Sequence, residues 1–454
     1  MNIDDICRES EFVAPTPVDP NRDGIIKIIG VGGGGGNAVA HMYKVHLEKN
    51  PDYTANPDSE DVKFVVCNTD NQALKNSIVP EKVLIGHTGL GAGDKPEVAK
   101  AAAEESLDAI NAMFDDNTKM VFITAGMGGG TGTGAAPVVA RVARERGVLT
   151  VGIVTIPFLF EGVKKITKAL EGANEMKKYV DSLLLINNER LIEIYPDLDF
   201  DSSFSKADDT LSTAAHAISE LITTEDVRIN IDFNDVDTTL RNGGASIISC
   251  GYGEGEFRVQ KAIEDALQSP LLKNSNIMGS KKLLFNLYIS RKADNPFRTG
   301  EMKAFTEFVT SIEDVEVIYG VAYDDSLGDK IKVTILASGF ETDASVPERK
   351  VTFGPRKSEE TKTAEVETAN KVIEEQYGKE KAAALAAAKA RSLYVVLKPE
   401  QLDDDNVIEN LEKSPAYART SEQKAAIVSA VPTPAAPEPQ VRGGIDESAS
   451  VISF

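Results

Sequence analysis

The sequence has few cysteines and few histidines, which excludes several classes of protein. Its three cysteines are far apart and form no C-x-x-C pair, so a disulfide framework or a zinc ribbon is not expected. The four histidines show no metal-ligand spacing. We therefore predict no metal site built from protein side chains alone.

Long hydrophobic runs are also missing. No apolar stretch approaches the roughly 18–20 residues that a helix needs to cross a bilayer. The first 23 residues are acidic and lack the basic-then-apolar pattern of a secretory signal. On these grounds we expect a cytoplasmic protein.

Positive charge is in deficit. The chain has 49 Lys and Arg against 71 Asp and Glu, a net charge of −22, and most of the excess lies before Asp343. Nucleic acids and anionic lipids are bound through basic residues that neutralise phosphate. We therefore expect no nucleic-acid partner, and membrane attachment only indirectly.

The 454 residues are enough for two folded units. Between residues 24 and 202, short β-branched runs alternate with stretches of helical apolar spacing. Because these runs are apolar on both faces, we predict an α/β domain with a parallel sheet, the architecture of many nucleotide-binding proteins. The predicted strands are 25–31, 63–68, 119–124, 149–156 and 181–187, and the predicted helices between them include 96–114 and 135–146.

A long central helix is predicted within residues 203–226, with its apolar face over 206–223. Residues 227–342 return to mixed patterning and predict a smaller α+β domain. Its strands are expected at 245–252, 283–290, 315–323 and 330–340, with helices near 256–268 and 301–312. Apolar residues are sparse at both ends of the chain. We predict a flexible arm at 1–23 and a largely disordered tail at 343–454, with an alanine-rich helix within 362–391.

Three glycine clusters follow predicted strands: Gly32–Gly36, residues 89–93 and Gly128–Gly134. Glycine lets backbone N–H groups come close to a phosphate, and a following helix N-terminus adds a favourable dipole. The two threonines of the third cluster would offer hydroxyls to phosphate oxygens. Loops at the carboxyl ends of parallel strands are where open α/β sheets bind ligands. With no G-x-x-x-x-G-K-[ST] motif present, we predict a polyphosphate site formed by backbone amides rather than a P-loop.

Residues 228–235 contain the spaced motif Asn230-x-Asp232-x-x-Asp235. The residues alone leave two interpretations open. The acids are hydrolytic groups, or they belong to an edge strand in which Asp232 faces solvent and Asp235 caps the next helix.

Taken together, these motifs resemble the FtsZ family, the bacterial cell-division GTPases of the tubulin superfamily. The resemblance is continuous from about Ile25 to Phe340. The pattern GGGTGTG is specific to the superfamily, and N-x-D-x-x-D points to FtsZ rather than eukaryotic tubulin. The matching segments are GVGGGGGNAV (30–39), CNTD (67–70), GLGAG (89–93), GMGGGTGTGAAP (126–137), PFLFEG (157–162), the acidic motif (230–235) and the glycines at 251–255.

The resemblance implies a tubulin/FtsZ-like fold that binds GTP or GDP with Mg²⁺. It implies that Glu161 contacts the ribose and that Asp208 accepts two hydrogen bonds from the guanine edge. Lys165 stands where the family often has arginine, which offers a planar contact that lysine lacks. The nucleotide-binding residues implied in this way are Gly33, Gly34, Gly35, Gly36, Asn37, Ala92, Gly93, Gly130, Thr131, Gly132, Thr133, Glu161, Lys165, Asn188, Phe204 and Asp208.

The same resemblance implies that Asn230, Asp232 and Asp235 act in the nucleotide site of the next subunit, where they position the attacking water for GTP hydrolysis. A head-to-tail contact of this kind that does not close produces a filament. The implied protein is a homopolymer that forms the division ring at mid-cell. Residues 403–419 are the nearest match to the tail peptide that binds membrane tethers such as FtsA, and a solvated linker is an equal alternative there.

Two other functions compete with this one. A dinucleotide-dependent oxidoreductase would use the first glycine cluster, but it leaves the third cluster and the acids at 230–235 unexplained. The other competing interpretation is a related filament protein for plasmid partition or cell shape, or a scaffold that does not hydrolyse nucleotide. Intact Asp232 and Asp235 argue against an inactive scaffold.

Overall fold

The computed structural model describes residues 25–49, 62–197, 199–224, 226–268, 277–312 and 314–340, together with 374, 377–383 and 408. The predicted arm at 1–23 lies outside these residues, as does the candidate partner peptide 403–419 apart from Ile408. Of the predicted helix at 362–391, the structure describes residue 374 and residues 377–383, and 379–383 are helical. None of the described helices is long and apolar enough to cross a membrane.

The N-terminal part of the fold is a parallel sheet, as the sequence predicts. Strands β1, β2 and β5 are buried along their whole length, which explains why their sequences are apolar without alternation. The strands are β1 (Ile26–Val31), β2 (Val62–Asn68), β3 (Glu81–Leu84), β4 (Met120–Gly126), β5 (Leu149–Ile156) and β6 (Ser182–Asn187). The helices between them are α1 (Gly32–Lys49), α2 (Asn71–Asn76), α3 (Pro96–Glu105), α4 (Leu107–Ala112), α5 (Thr131–Glu145), α6 (Val163–Lys177) and α7 (Glu189–Ile194).

The long helix α8 (Phe200–Thr223) starts six residues before the apolar face that the sequence indicates. The reason is a cap. The side chain of Asp199 accepts a hydrogen bond from the backbone N–H of Ser202 at 2.7 Å, so the helix begins directly after it.

The C-terminal part continues the same sheet with mixed strand directions. Its strands are β7 (Val227–Ile229), β8 (Gly244–Gly253), β9 (Lys282–Ile289), β10 (Glu316–Tyr323) and β11 (Ile331–Phe340), and its helices are α9 (Phe233–Leu240), α10 (Arg258–Gln268) and α11 (Lys303–Thr310). The strand order is β3-β2-β1-β4-β5-β6-β8-β11-β9-β10-β7. β6 meets β8 only where Ser182 pairs with Gly244 and Leu183 pairs with Ala245, so few ladder bonds join the two parts.

The predicted helix at 96–114 is two helices in the structure. Ser106 leaves helical geometry between α3 and α4, and its hydroxyl accepts a hydrogen bond from the backbone N–H of Gly86 at 2.8 Å. The predicted helix at 135–146 begins four residues earlier, at Thr131, because the glycines of the third cluster form its first turn. Both differences depend on contacts made far along the chain.

Candidate functional site

The three glycine clusters meet at one edge of the sheet, because β1 and β4 are parallel neighbours whose carboxyl ends coincide. Gly34 packs against Gly126, with the Cα of Gly126 3.4 Å from the place where a Cβ on Gly34 would stand. Gly130 lies closer still to Ala92, whose Cβ is 2.9 Å from the place where a Cβ on Gly130 would stand. The structure therefore brings the predicted phosphate loops together.

The glycines of this edge fall into two groups. A Cβ on Gly35 would stand 2.2 Å from the carbonyl oxygen of Thr124, and one on Gly134 would stand 2.0 Å from that of Pro96. These two glycines permit close backbone packing. Gly33 and Gly129 have nothing within 4 Å of the same position, so they face open space. The open group is the one that leaves room for a ligand next to the backbone amides.

The loop at 89–93 is held in a shape that needs glycine. Gly89, Gly91 and Gly93 all have φ between 57° and 81°. The backbone N–H of Gly91 donates to the carbonyl of Thr69 at 2.9 Å, which ties this loop to the end of β2. Ala92 is buried, and its Cβ lies next to Gly130 of the third cluster.

The threonine hydroxyls do more within the protein than the sequence indicates. The hydroxyl of Thr131 lies 2.7 Å from that of Thr69. The hydroxyl oxygen of Thr133 accepts a hydrogen bond from the backbone N–H of Gly128 at 2.8 Å, and Thr133 is buried. Thr133 therefore maintains the shape of the loop, and its contact with a phosphate stays a prediction.

Three phenylalanines form a group beyond β5. The rings of Phe158 and Phe160 stack at 5.1 Å, and Phe204 in α8 meets Phe158 edge to face at 5.2 Å. Phe158 is fully buried, whereas Phe160 is exposed. The group forms an aromatic wall against which a flat base can pack.

Two polar groups near this wall form no side-chain hydrogen bond with the part of the chain that the structure describes. The side chain of Asn188 is in a residue only 6% exposed, and its Oδ1 has no hydrogen-bond donor among the described residues. Asp208 is half-buried in α8, and loss of solvent together with the charge of Asp209 raises the pKa of Asp208 to about 7. A ligand that donates hydrogen bonds would satisfy both groups, as the edge of guanine does.

Glu161 and Lys165 pair with each other. The first carboxylate oxygen of Glu161 accepts from the backbone N–H of Phe158 at 2.8 Å, and the second lies 2.5 Å from Nζ of Lys165. The pair sits at the start of α6, next to the aromatic wall. Glu161 ends a short 3-10 helix and Lys165 lies in the first turn of α6, so the pair spans the junction at Gly162.

A cavity of about 480 Å³ opens beside the first glycine cluster. It is lined by Gly33, Gly36 and Asn37, and also by His41 and Lys44, which the sequence reasoning missed. Their signal was available, because residues 37, 41 and 44 share one face of α1. The volume is within the range of small-molecule sites.

Asn230, Asp232 and Asp235 lie elsewhere. The side chain of Asp232 accepts from the N–H of Asp235 at 3.0 Å, and that of Asp235 accepts from the N–H of Asp232 at 2.9 Å. This is a capping box at the start of α9. The alternative in which Asp235 is the N-cap is wrong, since Asp232 is the N-cap. None of the hydrogen bonds given for these residues involves a glycine loop, within the described part of the chain.

Within that same part of the chain, no group of three or more His, Cys, Asp or Glu side chains is arranged to hold a metal ion. Mg²⁺ usually keeps several waters and is bound by substrate phosphates with one or two carboxylates. The Mg²⁺ that the family resemblance implies stays a prediction.

Comparison with protein families gives two matches. Residues 25–196 match the model described as the Tubulin/FtsZ family, GTPase domain. Residues 244–341 match the FtsZ family, C-terminal domain. The segment between the matches contains α8, β7 and α9.

Several known proteins are similar over most of the chain. A cell division protein FtsZ from Porphyromonas gingivalis is 46% identical over 423 residues, covering 91% of this chain and 89% of its own. One from Aquifex aeolicus is 41% identical over 340 residues, covering 74% and 88%. Among solved structures, an empty FtsZ dimer from M. jannaschii has a TM-score of 0.61 and 34% identity, covering 74% of this chain and 95% of its own.

Proposed function

Because the chain belongs to the FtsZ family of cell-division GTPases, we propose that it polymerises head to tail and that each GTP site is completed by the acidic loop of the adjacent subunit. The chain is a GTPase of the tubulin superfamily, which converts GTP and water to GDP and phosphate. The proposal concerns where the catalytic groups come from.

The observation that carries the proposal is the separation of the acids from the glycine edge within one chain. α8 begins at the aromatic wall beyond the carboxyl end of β5, and its 24 residues span about 36 Å. The acids follow the far end of that helix. α9, which Asp232 caps, is followed directly by Arg241, whose guanidinium lies 3.8 Å from the carboxylate of Asp181 at the amino end of β6. A second copy is the simplest source of acids for the glycine edge.

At the glycine edge, Gly33 to Asn37 and Gly130 to Thr133 would hold the phosphates through backbone amides. Phe204 would pack on guanine, while Asn188 and Asp208 would accept hydrogen bonds from it. In support, Asn188 has an unsatisfied buried oxygen and Asp208 is a half-buried carboxylate. A carboxylate accepting from both N1–H and the 2-amino group would favour guanine over adenine.

At the other end, Asp232 and Asp235 would orient the attacking water, with Asn230 beside them. Mg²⁺, bound with the phosphates, would neutralise charge that develops on them. Positioning and charge stabilisation supply most of the acceleration in phosphoryl transfer, so a small displacement of these acids would reduce turnover strongly.

Exposed hydrophobic side chains stand next to both half-sites. Leu90, in the loop at 89–93, is 87% exposed, and Ile229, directly before Asn230, is 38% exposed. Exposed apolar side chains such as these, one beside each half-site, are typical of surfaces that become buried on association. Their positions support a contact in which the acidic loop of one subunit meets the glycine edge of the next.

The experiment is phosphate release from GTP with Mg²⁺ as a function of protein concentration. We expect almost no activity per molecule at low concentration and a rise above a threshold, because isolated subunits lack a complete site. Sedimentation of filaments should show the same threshold. Activity per molecule that is constant over the whole range would contradict the proposal, because one chain would then contain the complete site.

We further propose, from the sequence and from the relatives' description as cell division proteins, that the filaments act at mid-cell in the cytoplasm. Residues 403–419 would bind a membrane tether such as FtsA. Removal of residues 403–454 should leave GTP turnover within about twofold of the full chain and abolish tether binding in co-sedimentation. Full tether binding by the shortened chain would assign that role to another segment.

A further inference from the structure

The acidic loop is attached to a weakly held strand. β7 has three residues and pairs with β10 through Ile229 with Val321 and Val227 with Ala322, with a shift of register between them. It is the last strand in the order of the described sheet. Asn230 follows it at once, so whatever fixes the start of β7 also fixes one end of the acidic loop.

The start of β7 is held by an arginine from another part of the chain. Arg291 lies just after β9, and its two terminal nitrogens donate to the two carboxylate oxygens of Asp226 at 2.8 Å and 2.5 Å. Asp226 directly precedes β7. A two-pronged pair of this kind fixes orientation as well as distance, which a single contact does not.

Arg291 is itself fixed by β10 and the turn that follows. Its guanidinium lies 3.8 Å from the ring centroid of Tyr323, the last residue of β10. Its backbone N–H donates to Asp325 at 2.9 Å. The backbone N–H of Tyr323 also donates to the carbonyl of Asp226 at 2.9 Å. Asp226 is therefore held both by the side chain of Arg291 and by the backbone of β10.

The geometry points to Arg291 as a positioning residue for the acidic loop, acting through Asp226 on the strand that presents Asn230, Asp232 and Asp235. This role rests on the proposed function, since it requires that the loop is catalytic. Arg291 lies outside every motif that marks the nucleotide site or the acids.

The magnitudes separate positioning from stabilisation. Both side chains are about half exposed, and solvent-exposed ion pairs contribute little to folding stability. A misplacement of about 1 Å at reacting groups costs up to about a hundredfold in rate. Loss of the two-pronged Arg291–Asp226 pair should therefore change GTP turnover much more than folding stability.

The test compares Arg291→Gln with Lys292→Gln in the full chain. Lys292 is the adjacent residue, carries the same charge and also forms an exposed ion pair, with Asp325 at 3.0 Å, but that pair does not involve the start of β7. We expect Arg291→Gln to lower GTP turnover per assembled subunit about tenfold. GTP affinity, the assembly threshold and the unfolding midpoint should match those of Lys292→Gln. The turnover of Arg291→Lys should lie between those of the two glutamine variants, because lysine keeps the charge but cannot form the two-pronged pair.

Equal turnover in the two glutamine variants would overturn the positioning role. A parallel loss of GTP affinity in Arg291→Gln would overturn it as well, since the effect would then extend to the pocket. An Asp235→Asn variant in the same series separates the two proposals. If Asp235→Asn turns over GTP normally, the proposed function fails. If it is inactive while Arg291→Gln equals its control, only the positioning role fails.

Discussion

The glycine loops pack backbone against backbone, whereas the acidic loop at 230–235 stands at the end of a short edge strand. At Gly35 and Gly134 the neighbouring carbonyl oxygens come so near that no Cβ fits. Asn230 and Asp232 are exposed, and the carboxylates of Asp232 and Asp235 each accept a hydrogen bond from the other residue's backbone N–H. One half of the proposed active site, the glycine half, rests on closely packed backbone, and the other, the acidic half, is presented to solvent.

The difference fits the division of labour that we propose. Binding a nucleotide needs amides fixed in advance, which close packing provides. An acidic loop that acts on a second subunit must instead be accessible before assembly. Its acids are positioned by local contacts: the capping box and, in the role proposed above, the pair between Arg291 and Asp226.

The largest expected effect comes from removing one charge of the exposed half. Asp235→Asn keeps an oxygen to accept from the N–H of Asp232, so the helix cap survives while the carboxylate is lost. We expect turnover to fall about a hundredfold or more, with GTP affinity unchanged. Phosphate release and nucleotide titration on the same preparation measure the two quantities. A loss of GTP binding would make Asp235 a structural cap and nothing more.

Substitutions in the glycine half of the site should change nucleotide binding rather than turnover. Asp208→Asn replaces one of the two acceptor oxygens with a donor, so we expect GTP affinity to fall about 10- to 100-fold, as for loss of charge-assisted hydrogen bonds. Discrimination between GTP and ATP should weaken with it. Competition titrations with both nucleotides test this. Unchanged selectivity would remove Asp208 from the base site.

Two alanine substitutions sharpen the contrast among the glycines themselves. Gly134→Ala should lower the free energy of unfolding by about 2 kcal/mol, because the new methyl group would meet the carbonyl oxygen of Pro96. Gly33→Ala should leave stability unchanged and weaken GTP binding, because its methyl group would point into open space at the phosphate edge. Urea denaturation and nucleotide titration of both variants supply the comparison. Equal destabilisation by the two would contradict the division into packed and open glycines.

The smallest expected effect is a dependence of GTP affinity on pH, caused by Asp208 in the nucleotide-binding half of the site. With the pKa of Asp208 at about 7, the free protein carries a proton that guanine binding must displace, so GTP affinity should be about tenfold weaker at pH 6 than at pH 8. Asp208→Asn, measured in parallel, removes the contribution from titration of the phosphates themselves.

The same group affects folding with a definite sign. The pKa of Asp208 is raised above its usual value of 3.8, so its contribution to stability is full below about pH 4 and is lost as the pH rises through about 7. The nucleotide-free protein should show this loss between pH 4 and 7, and Asp208→Asn should not. Identical profiles would show that Asp208 is more exposed than the structure indicates.

Much of the fold was accessible from periodicity. β5 has the predicted bounds of 149–156, and β1, β2, β4 and β6 lie within two residues of theirs, because each is apolar on both faces. Helix starts were less accessible. α5 begins among glycines, which intrinsic propensity disfavours, and the break at Ser106 depends on Gly86, twenty residues earlier.

The candidate site divides in the same way. The glycine clusters were recognisable because few other needs explain so many glycines after strands. His41 and Lys44 were missed, since a helical face becomes part of a cavity only when the opposite wall is known. Arg291 gave no signal, because its partner Asp226 is 65 residues away.

The sequence by itself determined the parallel core, the glycine loops and the acidic motif, since these depend on local spacing and on residue types with few alternative uses. The tertiary structure decided which glycines are packed and which are open. Among the described residues, it left the side-chain oxygen of Asn188 and the carboxylate of Asp208 without a hydrogen-bond donor, and it paired Arg291 with Asp226. Those features depend on distances between segments far apart in the chain. Such distances are fixed only when the sheet assembles and long-range contacts replace local preference.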